Sequence, residues 1–264
     1  SVGLVNMRYG FDSEYMETGT NISSNPSNEF GGQAYNVSYR KSQTTNGSGI
    51  NGRIGLIVKP VNSVRIGATF QTPTWMHIED VSSEVVDTRY GTTSFNSDPS
   101  NYVFQYNIRT PYKGSLGASI LLGNSGLITA DVDYVDYSSI KFSNAENYYD
   151  PTTTSNNNLD VKDFYTSAVN YRVGAEFKVD QFQLRAGYGI NGSPYKDDDN
   201  DKFQTKSYSG GLGYRVNQYY IDLAYQRVET NQTFSPYILE DLSEPVADVK
   251  LNKNNVFLTF GVRF

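Results

Sequence analysis

Apolar and polar side chains alternate with a period of two along most of this sequence. In the terminal segment NVFLTFGVRF, apolar residues occupy every second position from Val256 to Phe264. The same alternation recurs in QYYIDLAYQ, YSGGLGYRV, FQLRAGYGI, NYRVGAEFKV, LITADVDY, VRIGATFQ and RIGLIVK, whose apolar faces carry no charge. Because successive side chains of a strand point to opposite faces, the pattern predicts an all-β antiparallel sheet with one apolar face.

The average hydropathy is low for a membrane protein, with a mean value of −0.52. No stretch approaches the roughly 18 consecutive apolar residues that a spanning helix needs. The longest apolar runs, at 55–58 and 118–123, end within a few residues, so a helical membrane protein is excluded. A barrel strand needs only about ten residues with every second one apolar, because lipid contacts one face and the interior contacts the other. The alternation therefore predicts an antiparallel transmembrane β-barrel.

Connectors of alternating length divide the segments. Short turns fall at 60–63, 123–126, 178–181 and 215–218, and long polar connectors fall near 89–100, 143–160, 193–202 and 235–247. Bacterial outer-membrane barrels show this asymmetry, with short periplasmic turns and longer outer loops. We expect a single domain over 1–264, a periplasmic C-terminus and ten strands, near 1–11, 36–60, 63–88, 102–122, 125–142, 161–179, 181–193, 203–216, 218–234 and 248–264.

Two segments leave the strand count open. Pro111 cannot donate to a strand ladder, so 102–122 is either one kinked strand or a hairpin. The letters TTNGSG between Ala34 and Pro60 are a candidate hairpin loop, and a second hairpin would change the parity. Single long strands keep all four short turns on one side, and we favour them. A soluble all-β sandwich is the competing fold, because its strands alternate too.

The polar face separates these two folds. It carries Arg, Asp, Glu and Gly in place of the Lys, Thr and Ser mixture of an ordinary solvated face. Arg pairs with carboxylates through two hydrogen bonds, so opposite charges on neighbouring strands would form ladders in a confined polar lumen. The predicted lumen charge ladder comprises Arg53, Arg65, Asp131, Asp133, Arg172, Glu176, Arg185, Arg215, Asp222 and Arg263.

Charge and residue usage exclude several functions. The formal net charge is −6 and the basic residues are scattered, which argues against nucleic acid as a partner. There are no cysteines, so neither disulfides nor thiolate metal sites are expected. No cofactor is predicted. The 22 Tyr residues and Trp75 are typical of a girdle at the membrane interface.

Two polar motifs are candidate sites of other kinds. His77, the only histidine, has Glu79 and Asp80 nearby and is a candidate base for a barrel hydrolase. The sequence places no Ser or Asp partner for it, and we favour a loop or interface histidine. The acidic run at 197–201 is a candidate Ca²⁺ ligand set, but Lys202 stands where an EF-type loop has Gly, and no Glu follows at the twelfth position. We expect no enzyme and no metal site.

Several longer segments resemble one known family. They are NGSGINGRIGLIVKPVNSVRIGATFQTPTW, NIRTPYKGSLGASILLG, GLITADVDYVDYSS, YRVGAEFKVDQFQLRAGYGINGSPYK and NVFLTFGVRF, and in this order they look like the C-terminal half of FadL-type transporters. Members of that family carry long-chain fatty acids or other hydrophobic compounds. The resemblance implies a fourteen-stranded barrel with an N-terminal hatch and a lateral gap through which ligand leaves.

The sequence departs from that family at its start. We find no hatch-like segment and too few strands, so 1–264 resembles the last ten strands, and no ligand-binding residue is carried over. The resemblance implies non-catalytic transport of hydrophobic small molecules through the outer membrane of a Gram-negative bacterium, with membrane lipid and the ligand as partners. Shuttle barrels of the type 9 secretion system share the fold. A structural or cargo-binding subunit among other envelope proteins is therefore the alternative.

The C-terminal residues are a further predicted signal. Phe264 is a terminal aromatic residue, preceded at alternate positions by Leu258, Phe260 and Val262. This arrangement resembles the signal by which the barrel-assembly machinery recognises its clients during biogenesis. A strand that simply ends at this residue is the plainer interpretation.

Overall fold

The computed structural model describes residues 1–23, 27–146, 148–198, 201–237 and 243–263. Within these residues the protein has fourteen β-strands, all paired antiparallel, one α-helix, α1 (Pro151–Phe164), and a 3-10 turn at Tyr137–Ser139. No helix in the described ranges is long and apolar enough to cross a membrane. The predicted all-β antiparallel fold is confirmed. The strands are β1 (Val2–Thr20), β2 (Ala34–Val61), β3 (Val64–Gln71), β4 (Trp75–Tyr90), β5 (Thr93–Asn96), β6 (Ser100–Arg109), β7 (Lys113–Leu122), β8 (Gly126–Asp136), β9 (Lys141–Asn144), β10 (Ser167–Val179), β11 (Phe182–Asn191), β12 (Thr205–Val216), β13 (Tyr219–Phe234) and β14 (Ala247–Val262).

Three pairs of strands continue one another and form single spans. Residues 72–74 separate β3 from β4, residues 110–112 separate β6 from β7, and the 3-10 turn lies between β8 and β9. β5 is a short strand in the connection that follows β4 and pairs only with it. Without β5, the other thirteen strands of the described residues therefore form ten spans. The segment around Pro111 is a broken strand and not a hairpin.

The spans follow one another round the sheet in chain order. β1 pairs with β2, and β2 pairs with both β3 and β4. On one branch the order continues from β4 to β6 and β9. On the other branch it continues from β3 to β7, β8 and then β10–β14. Within the described residues, no ladder joins β1 to β14. Tyr237, after β13, nevertheless contacts β1: its hydroxyl donates to Glu17 at 3.2 Å and its ring centroid lies 5.4 Å from that of Tyr15. The sheet therefore curls far enough to bring its first strand against its last hairpin.

The short turns all lie at one end of the sheet. They consist of 62–63, 123–125, 180–181 and 217–218. Gly123, Asp180 and Asn217 adopt positive φ values of 59°, 51° and 53°. Gly, Asn and Asp are the residues that tolerate this left-handed conformation, which tight hairpin turns require.

Several predicted boundaries are wrong for identifiable reasons. β1 continues to Thr20, well past 11, because its entire length pairs with β2. The TTNGSG segment lies inside β2, where every residue has partners on β1 and on β4, so no hairpin forms there. The predicted strand 161–179 begins only at Ser167, because α1 occupies 151–164. Pro151 stands in the first turn of that helix, where a missing N–H costs no hydrogen bond.

The sheet exposes its apolar face and covers its charged face. Leu56 and Phe260 are 66% and 70% exposed, whereas Asp133 is 1% exposed. We call the face that carries Asp133 the inner face and the apolar face the outer face. A soluble sheet buries apolar side chains and exposes charges, so this polarity is inverted. It is the polarity of a barrel wall whose outer surface meets lipid.

Candidate ligand path on the inner face

A buried carboxylate organises the inner face between β7, β8 and β10. Asp133 forms ion pairs with Lys113 Nζ at 2.7 Å and with Arg172 Nη2 at 2.5 Å. Arg172 also donates through Nε to Asp131 at 2.7 Å. The register explains the second pairing, because Arg172 lies directly opposite Asp131 on the neighbouring strand. Because Asp133 is almost completely covered, the loss of its cations would leave a desolvated charge, which is costly.

A second network crosses β10 to β13. Arg185 donates through Nε to Glu176 at 2.7 Å, through Nη1 to Asp222 at 2.8 Å and through Nη2 to Gln183 at 2.7 Å. Gly213, opposite Asp222, leaves the room that this carboxylate occupies. One planar guanidinium therefore joins three strands, which fixes their spacing on the inner face.

The structure places nine of the ten predicted ladder residues in three ways. Six of them form the two networks, and they are Asp131, Asp133, Arg172, Glu176, Arg185 and Asp222. Arg53 and Arg65 line the same cavity of about 690 Å³ as Arg172, and Arg53 donates to Gln71 at 2.5 Å. Arg215 lies over the ring of Tyr220, with 5.7 Å to the ring centroid.

Two placements differ from a regular ladder. Arg263 is held through its backbone, whose N–H donates to the Gln218 carbonyl at 2.7 Å. Lys113, which the sequence analysis does not include, is the first residue of β7 and pairs with the buried carboxylate. The sequence does not show that Lys113 lies on the inner face, because the break at Pro111 interrupts the alternation from which faces are assigned.

Three neighbouring spans break at the same level of the wall. Thr72 and Thr110 each precede a proline, which has no N–H for a strand ladder. Threonine hydroxyls replace part of the lost pairing: Gly52 N–H donates to Thr72 Oγ1 at 2.8 Å, and Thr74 N–H donates to Thr110 Oγ1 at 2.9 Å. In the next span, which consists of β8 and β9, residues 136–140 have no pairing partner on β6 or β7. Within the described residues, the ladder hydrogen bonds of these three spans are therefore interrupted at one level of the wall.

An apolar track begins beside the breaks. Met76 and Ile78, on the inner face of β4, are 9% and 2% exposed. A side chain on Gly47, in β2, would collide with Ile78 and would come within 3.3 Å of Met76. Gly47 therefore makes the space that these side chains fill. Ile108 of β6 lies opposite Met76 and extends the track toward β9.

A pocket of about 290 Å³ lies at the end of this track, between β6, β9 and the first turns of α1. Its walls are aromatic: the ring centroids of Tyr106 and Phe142 are 5.6 Å apart, and those of Phe104 and Tyr148 are 6.3 Å apart. We call this cavity the aromatic pocket. The remaining lining residues are Asp80, Gln105, Asn144, Asp150, Thr153, Thr154 and Asn157.

Asparagine side chains hold α1 against β9. Asn158 accepts from the backbone N–H of Phe142 at 2.8 Å and donates to its carbonyl at 3.0 Å. Asp150 caps the helix by accepting from the Thr153 N–H at 3.0 Å. Hydrogen bonds from the Thr153 side chain and backbone hold the pKa of its carboxyl below the usual range. The sequence analysis treats this segment as a polar connector, so the aromatic pocket is not part of its predictions.

His77 does not line the aromatic pocket, whereas Asp80, its neighbour in the candidate hydrolase motif, does. Nδ1 of His77 is 3.1 Å from the amide oxygen of Asn107, and among the described residues no serine hydroxyl hydrogen-bonds to the ring. In the acidic run, Asp199 and Asn200 lie outside the described residues. In the part of the chain that the structure describes, no three His, Asp or Glu side chains are grouped closely enough to hold a metal ion.

The predicted assembly signal lies on the outer face of β14. Leu258, Phe260 and Val262 are exposed there. Phe264 lies outside the described residues. These side chains continue the apolar surface of the sheet to its short-turn end.

An antiparallel wall with apolar residues outside, ion networks inside and a broken level beside an aromatic pocket is a β-barrel of the transmembrane class. In fold it is similar to the CymD monoaromatic hydrocarbon channel, with a TM-score of 0.52 and 13% identity over 100% of this chain and 74% of that one. It is also similar to the P. putida toluene transporter TodX, with a TM-score of 0.54 and 12% identity over 100% of this chain and 70% of that one.

Neither a family model nor a curated protein matches the sequence. Identities this low show similarity of fold alone. At that level, the resemblance to FadL-type transporters found in the sequence is confirmed.

Proposed function

We propose that this chain forms the wall of a channel for hydrophobic small molecules in the outer membrane of a Gram-negative bacterium. The observation that carries the proposal is the apolar outer face, because an exposed apolar surface of this extent is stable in lipid and not in water. The similarity in fold to a hydrocarbon channel and a toluene transporter supports passage without catalysis.

The inner face supports a route in two steps. An apolar compound enters the aromatic pocket and moves along Met76 and Ile78 to the level of the breaks. There it leaves sideways into the bilayer between 110–112 and 136–140, where the ladder between the two spans is interrupted. The networks around Asp133 and Arg185 hold the neighbouring wall rigid during passage.

We also propose that the short turns and the C-terminus face the periplasm, and that the assembly machinery recognises β14. Exposed apolar residues at alternate positions up to Val262 support this proposal. Deletion of Phe264 tests it. The deletion should lower the yield of heat-modifiable barrel in the outer membrane.

Uptake of radiolabelled toluene by Gram-negative cells tests the route. Cells that produce the chain should take up the compound faster than cells with an empty vector. Gly47→Val places a branched side chain against Ile78 and Met76, so uptake should return to the empty-vector level. Gly10→Val is the matched control, because an added Cβ there meets no atom within 4 Å.

Both variants are compared at equal amounts of folded barrel in the outer membrane, measured by heat-modifiable migration. The proposal is wrong if the unsubstituted chain does not raise uptake. The route along β4 is wrong if Gly47→Val transports as well as Gly10→Val does.

A further inference from the structure

The aromatic pocket contains carboxylates and no cation. Among the eleven described residues that line it, none is Lys, Arg or His, and two are acidic, Asp80 and Asp150. Asp150 already accepts the Thr153 N–H and lies at the positive end of α1. Asp80 is therefore the acidic group that a ligand in the pocket would meet.

Neutral groups alone satisfy Asp80. The Tyr106 hydroxyl donates to its Oδ2 at 2.9 Å, the Thr45 hydroxyl donates to its Oδ1, and Gln43 Nε2 lies 3.5 Å from Oδ1. Asp80 forms no ion pair among the described residues. An ionised carboxylate can accept about four hydrogen bonds, so Oδ2 keeps capacity for another donor. The negative charge also remains uncompensated toward the pocket.

The size of the aromatic pocket limits what can enter. A dry apolar cavity of about 150 Å³ accommodates benzene, so a pocket of about 290 Å³ suits one substituted ring. The rings of Phe104, Phe142 and Tyr148 line the pocket, and they pack in pairs, Phe104 with Tyr148 and Phe142 with Tyr106, so a ligand ring meets an aromatic wall. A ligand with a carboxylate head would bring a like charge to Asp80.

We propose that the aromatic pocket selects neutral one-ring compounds that donate a hydrogen bond, such as phenols and anilines, and that it rejects carboxylates. Asp80 accepts the donor of the ligand while the aromatic walls enclose its ring. This inference rests on the proposed function and names the substrate class of the same interior site.

Binding of three ligands with the same methylated ring tests the inference. The chain in lipid nanodiscs is dialysed to equilibrium at neutral pH against toluene, p-cresol or 4-methylbenzoate, and binding to empty nanodiscs is subtracted. A hydrogen bond to a charged acceptor should make p-cresol bind about tenfold or more tightly than toluene. Repulsion by Asp80 should make 4-methylbenzoate bind about tenfold or more weakly than toluene. Equal affinities for the three ligands would overturn the inference.

Asp80→Asn keeps the shape of the side chain and removes its charge. The preference for p-cresol over toluene should fall to about threefold or less, because a neutral acceptor gives a weaker hydrogen bond, and binding of 4-methylbenzoate should increase. Glu84→Gln is the matched control: Glu84 lies on the same strand, pairs with Lys41 at 3.1 Å and does not line the pocket. Its ligand ratios should equal those of the unsubstituted chain.

The outcomes separate the two proposals. If toluene is taken up by cells but the three ligands bind alike, the selectivity inference fails and the channel function stands. If no ligand binds and uptake is not raised, the proposed function fails as well. The ligand series on the unsubstituted chain decides the question even if Asp80→Asn does not fold.

Discussion

Asp131 and Asp133 lie two residues apart on the same strand and face, yet their surroundings differ. The side chain of Asp133 is 2% exposed and pairs with two cations, whereas that of Asp131 is 39% exposed and pairs with one. A covered carboxylate depends on both of its cations, because no water can replace them, whereas an open ion pair contributes little. Depth within the network, and not charge alone, therefore decides which residue the wall depends on.

Replacing each aspartate with alanine measures this difference. Asp133→Ala removes the ion pairs with Lys113 and Arg172, whose side chains are 38% and 42% exposed, and should lower the free energy of unfolding by about 1–3 kcal/mol. Asp131→Ala should cost about 1 kcal/mol or less. Urea unfolding of the barrel in lipid vesicles gives both values. Equal losses for the two variants would show that the depth of the network does not matter.

At the scale of elements, the sequence predicts the strands and misses the helix for one physical reason. A barrel wall separates two environments, so every spanning residue is selected for the face on which it lies, and the alternation is visible locally. The helix PTTTSNNNLDVKDF has weak helix formers and buries only Val161 among its residues. Contacts of Asn158 with β9 stabilise it instead, and no periodicity records such contacts.

Acid should loosen the start of α1. Hydrogen bonds from the Thr153 side chain and backbone hold the pKa of the Asp150 carboxyl below its usual value, so this carboxyl stabilises the cap in its ionised form. A lowered folded-state pKa gives stability that is complete above the unfolded pKa and is lost as the pH falls through the folded value. Hydrogen exchange at the Thr153 amide, corrected for its intrinsic rate, should therefore show protection at about pH 6 that is lost below about pH 3.

Asp150→Asn provides the control for this pH effect. Asparagine also caps helices but does not titrate, so protection at Thr153 should be the same at both pH values. An equal loss of protection in this variant would assign the acid effect to another group.

At the scale of the whole molecule, the closest approach of distant segments has no local signal. Tyr237 and Glu17 are 220 residues apart in sequence, and their hydrogen bond depends on the curl of all ten spans. The order of strands and the side of the short turns follow from chain order, so the sequence predicts both. The sequence does not predict the partners of the ion networks, the aromatic pocket or this long-range contact. Each of them depends on how the strands are aligned and curled in three dimensions.

A cross-link tests the curl of the sheet. The chain has no cysteine, so Glu17→Cys with Tyr237→Cys introduces the only two thiols. A short bismaleimide should join them within one chain, because the two side chains touch. Met16→Cys with Tyr237→Cys is the control, since Met16 is 67% exposed and the next residue of a strand points to the opposite face. Equal cross-linking of both pairs would contradict the curled arrangement.

The aligned interruptions in three adjacent spans also affect how the wall can move. On this side of the sheet the strands form two groups, one of β1, β2, β4, β6 and β9 and the other of β2, β3, β7 and β8. Within the described residues, β2 is the one continuous strand that belongs to both groups. One group can therefore tilt against the other about β2 while both keep their internal hydrogen bonds. Such a hinge would widen the proposed exit at far less cost than unfolding any span.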